Sequence, residues 1–216
     1  PDVGVRRILW ANVIAEKFTY VLQPLANSWI VPEQRRWLTD SVFFNQVLMH
    51  ELSHGIAVAR VAGRSGREAV PGSWALPLEE AKAMLMGYCL QLYRAQQTGR
   101  ALKPIHLTFM AELLRGLRFG HTNPHGAAAT RLLSDFLALG AYAYQADTHE
   151  FFLTELTLLP DRAETLLLRI LELQAENDPG QVAVFFTETG APPDWLEQDL
   201  RRLEAERIPI DLAFDQ

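Results

Sequence analysis

The sequence predicts a mainly α-helical protein with one short pair of β-strands, on three observations. Apolar residues recur at three- and four-residue spacing through long runs, and brief Gly and Pro punctuation separates those runs. One interval, 143–158, departs from the pattern with aromatic and threonine residues. The first run, 10–29, lies within the most apolar early segment, Trp10 to Ile30, which contains Glu16 and Lys17. The second, 33–58, follows Pro32 and carries Phe43, Phe44, Val47, Leu48 and Ile56. The third, 77–98, opens at Pro77 and holds Leu78, Met86, Tyr88, Leu90 and Leu92. A fourth, 104–119, begins at Pro104 and ends before Gly120, and a fifth, 126–140, follows the turn-like Asn123-Pro124-His125-Gly126. Phe151-Phe152-Leu153-Thr154 marks the extended pair within 143–158. Runs at 161–176, 180–189 and 193–205 close the chain, the last at Pro193. Prolines suit helix starts because the N–H they lack has no helical partner there.

Length and charge narrow the class. At 216 residues the chain is long enough to bury one core, and 1–216 reads as a single domain. Twenty basic side chains stand against 26 acidic ones with no basic stripe, so nucleic acid is not an expected partner. No stretch of about 18 uncharged apolar residues is present, which excludes a membrane-spanning helix, and no secretory signal is visible. The single cysteine, Cys89, lies among Met86, Tyr88, Leu90 and Leu92 and can form no intrachain disulfide. A reducing, cytoplasmic setting is the expectation.

The chemistry concentrates at His50-Glu51-Leu52-Ser53-His54. Positions i and i+4 of a helix share one face, so both imidazoles can point at one zinc ion. Glu51 can reach a metal-bound water and act as general base. With six histidines and 16 glutamates in 216 residues, chance would supply this pattern roughly 0.01 times per chain. A zinc hydrolase needs a third protein ligand and an open fourth position. Glu79 and Glu80, 25 and 26 positions after His54 and beyond a Gly- and Arg-rich loop from Gly63 to Gly72, are the candidates. Two glutamates at a helix start are also favoured by the helix dipole without any metal. Periodicity does not choose between them, since Glu80 aligns with Met84 and Tyr88, and Glu79 with Ala83, Met86 and Leu90.

The stretch from Phe44 to Gly55, Phe-Asn-Gln-Val-Leu-Met-His-Glu-Leu-Ser-His-Gly, followed by Leu78-Glu79-Glu80-Ala81-Lys82-Ala83, resembles bacterial relatives of dipeptidyl peptidase III. Arg118-Phe119-Gly120 with His125-Gly126, and the ending Ile208-Pro209-Ile210-Asp211, extend the resemblance over nearly the whole chain. The resemblance implies that His50, His54 and Glu80 ligate one Zn2+ and that Glu51 is the base. It implies that Glu79 accepts the outer ring N–H of a ligating histidine, fixing its tautomer. It also implies that His125 contacts substrate, where it can donate to the oxyanion. Without the resemblance, His125 reads rather as a solvated loop histidine, because Asn123-Pro124-His125-Gly126 is a turn sequence. Arg115 and Arg118 share a helix face, and on the resemblance Arg118 is expected to line the site and meet a peptide carboxylate or carbonyl. His121 is a substrate contact or a solvated loop histidine, while His106 and His149 read as structural or exposed.

Two departures from the family pattern stand out. Methionine occupies position 84, where the family carries an acid that orients a ligating histidine; losing such a partner costs roughly ten- to a hundredfold in affinity or rate. The family's peptidases have two lobes with the substrate between them, and only the zinc-bearing lobe is recognisable. Pro1 at the start fits an excerpt of a longer protein, in which case the N-terminal lobe would be a partner; a minimal form with an open site is the other option. The expectation is a helical zinc metallopeptidase-like domain that hydrolyses short peptides. A metal-stabilised binding or regulatory module with little turnover is the competing expectation, motivated by Met84 and the missing lobe.

Overall fold

The structure, a computed structural model, describes residues 8–56, 72–188 and 194–213. Its helices are α1 (Ala11–Lys17), α2 (Gln23–Trp29), α3 (Pro32–Arg35), α4 (Asp40–Ser53), α5 (Ala75–Thr98), α6 (Lys103–Leu117), α7 (Pro124–Ala138), α8 (Leu158–Glu176), α9 (Pro179–Thr187) and α10 (Asp194–Ala205). An antiparallel hairpin of β1 (Tyr142–Gln145) and β2 (Glu150–Leu153) separates α7 from α8. Among the described residues the architecture is therefore mainly helical with one short strand pair. Residues 57–58, 189 and 193, and the Gly63–Gly72 loop up to residue 71, were assigned from sequence but lie outside the described residues.

Two predicted helices are not continuous. The 10–29 helix widens into a π-turn at Phe18–Leu22, where the Gln23 N–H reaches back to the Phe18 carbonyl. Pro24 explains it: without an N–H it cannot bond the Tyr20 carbonyl, and the ladder accommodates the loss by widening just before it. The 33–58 helix breaks after α3 and restarts at Asp40, with Thr39 extended (φ −132°, ψ 147°). Thr39 stands at the N-cap without a side-chain capping bond, and Asp40 puts a carboxylate in the first turn, where it complements the dipole.

Helix α5 forms the centre. Leu78, Ala81, Leu85, Tyr88 and Leu92 recur at three- and four-residue spacing, and all are buried. The helix packs against α4, α7 and α8. Tyr88 stacks on Phe109 with centroids 4.2 Å apart, Phe109 meets Phe136 edge-on at 5.9 Å, and Phe136 touches Tyr142 at 5.2 Å. An aromatic chain thus runs from α5 through α6 and α7 to the hairpin. On its far side Trp29 is fully buried and donates Nε1–H to Asp199 Oδ2 at 3.1 Å, joining α2 to α10. Ile30 lies beside Phe151, and the Val31 N–H donates to the Phe151 carbonyl at 3.1 Å, which covers one hairpin edge. Burial pushes the half-buried Cys89 thiol up to about 12, so it remains a protonated small hydrophobe.

His106 is buried against the Tyr88 hydroxyl, 2.6 Å from its Nδ1, and burial pushes the imidazole down to about 4. The unfolded chain binds this proton from about pH 6.5 downward and the folded chain only near pH 4. The His106 contribution to native stability should therefore be fully present above pH 6.5 and fall by about 3 kcal/mol between pH 6.5 and 4, while the Glu112 carboxyl, pushed up to about 8 by burial, contributes in the opposite sense as pH falls from 8 to 4.5. Urea melts across that interval should show this slope in the difference between wild type and His106→Gln, since the Glu112 contribution is common to both.

Candidate metal centre

His50 lies in the last turn of α4, and His54 occupies its C-cap with helical dihedrals (φ −61°, ψ −26°). The His54 N–H still reaches the His50 carbonyl at 3.3 Å, so the four-residue spacing survives the end of the helix. The rings stand nearly perpendicular, with centroids 4.7 Å apart and the two Nε2 atoms 3.1 Å apart. Two facing imidazole nitrogens need either one proton or one cation between them.

Glu80 supplies the third group. Its Oε2 lies 3.3 Å from His50 Nε2 and 3.6 Å from His54 Nε2. Helix α5 begins at Ala75, so Glu79 and Glu80 stand in its second turn, beyond the reach of the terminal dipole that offered a metal-free explanation for them. Gly87, two turns further on, lets α5 come this close to α4. A Cβ there would fall 2.8 Å from the His50 nitrogen and 3.1 Å from its Cα, so the helices touch backbone to backbone at the first histidine. Gly87→Ala should force them apart, costing about 1–3 kcal/mol of stability. It should also weaken metal binding by at least about tenfold, by the scale of disturbed metal surroundings; urea melts and chelator competition measure the two effects.

The donor atoms fit a tetrahedral cation. Bonds of about 2.0–2.1 Å from a tetrahedral ion place its ligand atoms about 3.3–3.4 Å apart. The three separations, 3.1, 3.3 and 3.6 Å, bracket that value. The side chains of His50, His54 and Glu80 are only 14%, 16% and 17% exposed. Glu80 Oε2 is buried, and the nitrogens nearest it belong to imidazoles, His125 Nδ1 at 2.9 Å, His50 Nε2 at 3.3 Å and His54 Nε2 at 3.6 Å. Burial raises the Glu80 carboxyl, but His125 and His50 beside it outweigh burial and hold it far below the usual carboxylate range. Among the described residues, His50, His54 and Glu80 form a group able to hold a metal ion.

The carboxylates divide by position. Glu79 Oε1 lies 3.1 Å from His54 Nδ1, the ring nitrogen turned away from the cluster. Burial raises Glu79 too, and contacts with His54, Lys82 and Gln174 bring it below its ordinary value. An N–H on Nδ1 donating to Glu79 leaves the Nε2 lone pair of His54 directed at the cluster. Met84 is buried, 8% exposed, and offers no such acceptor.

His125 reaches the cluster from α7. Asn123 caps that helix, its Oδ1 accepting the His125 N–H at 2.9 Å, and Pro124 stands at the first helical position. Gly126 closes the turn, since a Cβ there would lie 1.9 Å from the Gly120 carbonyl oxygen. The His125 ring, 45% exposed, is thereby set with Nδ1 2.9 Å from Glu80 Oε2. Glu51 follows His50 on α4 and is half-buried. Arg118 is engaged elsewhere: its terminal nitrogens donate to the Ile208 and Pro209 carbonyls at 2.6 and 2.7 Å. With Arg115, which donates to Asp211 at 3.1 Å, it anchors the Ile208-Pro209-Ile210-Asp211 ending. His121 is exposed beside the Gly120 turn. Three residues not singled out from sequence belong to the surroundings: Gly87, Lys82 and Gln174. Only Gly87, a glycine inside a helical run, left a visible signal.

The fold and site together define a helical protein with a His-His-Glu metal-ligand group at the junction of two helices. No protein-family model matches the chain. Two solved structures superpose on 94% of it: dipeptidyl peptidase III from Caldithrix abyssi (TM-score 0.83, 26% identity) and dipeptidyl peptidase III from Corallococcus sp. strain EGB (TM-score 0.81, 28% identity). These neighbours support a dipeptidyl peptidase III-like family for this chain, which covers 40% and 38% of their respective lengths. Among curated proteins it is 24% identical to Nudix hydrolase 3 of Arabidopsis thaliana over 219 residues, spanning 98% of this chain and 28% of that protein. Among the described residues no helix is long and apolar enough to cross a membrane.

Proposed function

We propose that this chain is the metal-bearing part of a zinc-dependent, peptidase-type hydrolase acting on short peptides. One observation carries the proposal: a buried carboxylate oxygen stands at tetrahedral ligand spacing from two imidazole Nε2 atoms. His50, His54 and Glu80 would hold the ion and leave its fourth position open. Bound there, zinc supplies Lewis-acid polarisation of a carbonyl and a water with a pKa near 7. Glu51 takes the proton of the attacking water and returns it to the leaving amine. His125 would need a proton on each ring nitrogen for its role, Nδ1–H facing Glu80 and Nε2–H donating to the developing oxyanion. Glu79 holds His54 in the tautomer the site requires. Release of dipeptides from a peptide N-terminus would need groups that capture the free amine. The expectation that an N-terminal lobe completes the cleft assigns those groups to it, in line with the share of the neighbours' lengths that this chain spans.

Incubation with a mixed library of short peptides tests the reading. Cleavage should stop on chelation and return with one equivalent of zinc; cleavage indifferent to the chelator contradicts it. Buried Met84 favours a second reading, a metal-stabilised binding module, because it stands where the family pattern carries an acid that orients a ligating histidine. A zinc-loaded protein inactive on every peptide, alone and with the other lobe added, would select that reading.

A further inference from the structure

Glu79 is held from three directions. Its Oε1 faces His54 Nδ1 at 3.1 Å and the Lys82 ammonium at 2.7 Å, and its Oε2 accepts from Gln174 Nε2 at 2.9 Å. Lys82 comes from the next turn of the same helix and is only 2% exposed. A cation this deep is costly unless its protons are placed, and Lys82 places another on the Ile56 carbonyl at 2.9 Å, just beyond His54. Gln174 comes from α8, 95 residues away in sequence. We infer that Gln174 and Lys82 are positioning residues for the metal centre, clamping the Glu79 carboxylate so that it fixes the ring of His54.

The physical reason is the freedom of an unclamped carboxylate. Glutamate has three side-chain torsions, and with only the imidazole as partner it would sample several rotamers, some with His54 Nδ1 unpaired. A donor on each oxygen selects one of them. Lys82 also ties Glu79 to the backbone leaving α4, so carboxylate and histidine are referred to the same point. The two clamps differ in one respect. Lys82 brings positive charge near the cation, which opposes metal binding, whereas Gln174 is neutral. Gln174 therefore reports the positioning effect without that opposing term.

The inference rests on the metal-binding reading, and the experiment separates the two. Zinc dissociation constants are measured by chelator competition for wild type, Gln174→Leu, Glu79→Gln and the double variant, with the metal-free melting temperature of each as a check on folding. Gln174→Leu should raise the dissociation constant about tenfold and Glu79→Gln by ten- to a hundredfold, the range for partners of metal-bound histidines. The double variant should match Glu79→Gln within about twofold, because Gln174 acts through Glu79. The Co2+-loaded Gln174→Leu protein should show a shifted visible absorption band. Equal affinities for wild type and Gln174→Leu, or a double variant weaker by the product of the single effects, would overturn the inference. A folded wild type that binds no zinc would instead overturn the metal reading beneath it.

Discussion

Replacement of Glu80 by glutamine should remove most of the metal affinity while leaving the fold in place. Zinc in four-ligand structural sites is bound by about 10–16 kcal/mol, roughly 3–4 kcal/mol per ligand, so the dissociation constant should rise by about two to three orders of magnitude. The amide is isosteric, but it removes a negative charge that His125 and His50 stabilise from 2.9 and 3.3 Å. The metal-free melting temperature should therefore fall, and each protein's zinc-dependent gain is read against its own metal-free value. Addition of zinc separates the two proteins. At free zinc about 1,000 times its dissociation constant the wild type should gain about 4 kcal/mol, which is about 8–16 °C for a chain of this size. Glu80→Gln at the same zinc concentration should gain only about 0.4–1.4 kcal/mol. A wild type with no zinc-dependent gain, or a Glu80→Gln protein gaining as much, would mean that the cluster of Glu80 with the two imidazoles holds no metal.

Glu51→Gln should have the opposite signature. Glutamine cannot accept a proton from water, so peptide hydrolysis should fall by about 10²- to 10⁴-fold, the contribution of a positioned general base. Because Glu51 follows His50 on α4 but lies outside the His50, His54 and Glu80 group, zinc stoichiometry should be unchanged. Hydrolysis rates and metal content measured on the same preparation make the comparison. Zinc lost together with activity would assign Glu51 to holding the site. Activity retained would exclude it as the base.

The two variants probe features that differed in how plainly the sequence displayed them. His50 and His54 were legible because helical periodicity is local: residues four apart share a face even where, as at His54, the helix is ending. Glu80 was not separable from Glu79 by periodicity, since both align with buried positions of α5. What distinguishes them is the crossing of α4 and α5, set by the missing side chain at Gly87, which directs Glu80 to the Nε2 atoms and Glu79 to the outer face of His54. Lys82 looked like an ordinary helix charge, because a sequence does not show that a lysine is 2% exposed. Gln174 gave no signal, being a polar residue on an amphipathic helix brought in by tertiary packing alone.

The fold shows the same division. The helical runs and the strand pair follow from local patterns, and the hairpin falls at Tyr142–Gln145 and Glu150–Leu153, inside or one residue before the interval the sequence marked. The two interrupted helices depended on single residues whose effect outweighed the apolar periodicity around them. Pro24 cost the first helix one backbone bond, and Thr39-Asp40 gave the second a new start within an apolar run. Arg118 shows the limit for side chains: its place before Gly120 was visible, but its pairing with the Ile208 and Pro209 carbonyls, some 90 residues on, was not.

Metal content is the most direct measurement of the central claim. The purified chain, shown to be folded by circular dichroism, is dialysed against metal-free buffer and analysed by inductively coupled plasma mass spectrometry. A centre formed by His50, His54 and Glu80 predicts about one zinc per chain. Folded protein that retains no zinc and takes up none when it is supplied would contradict it.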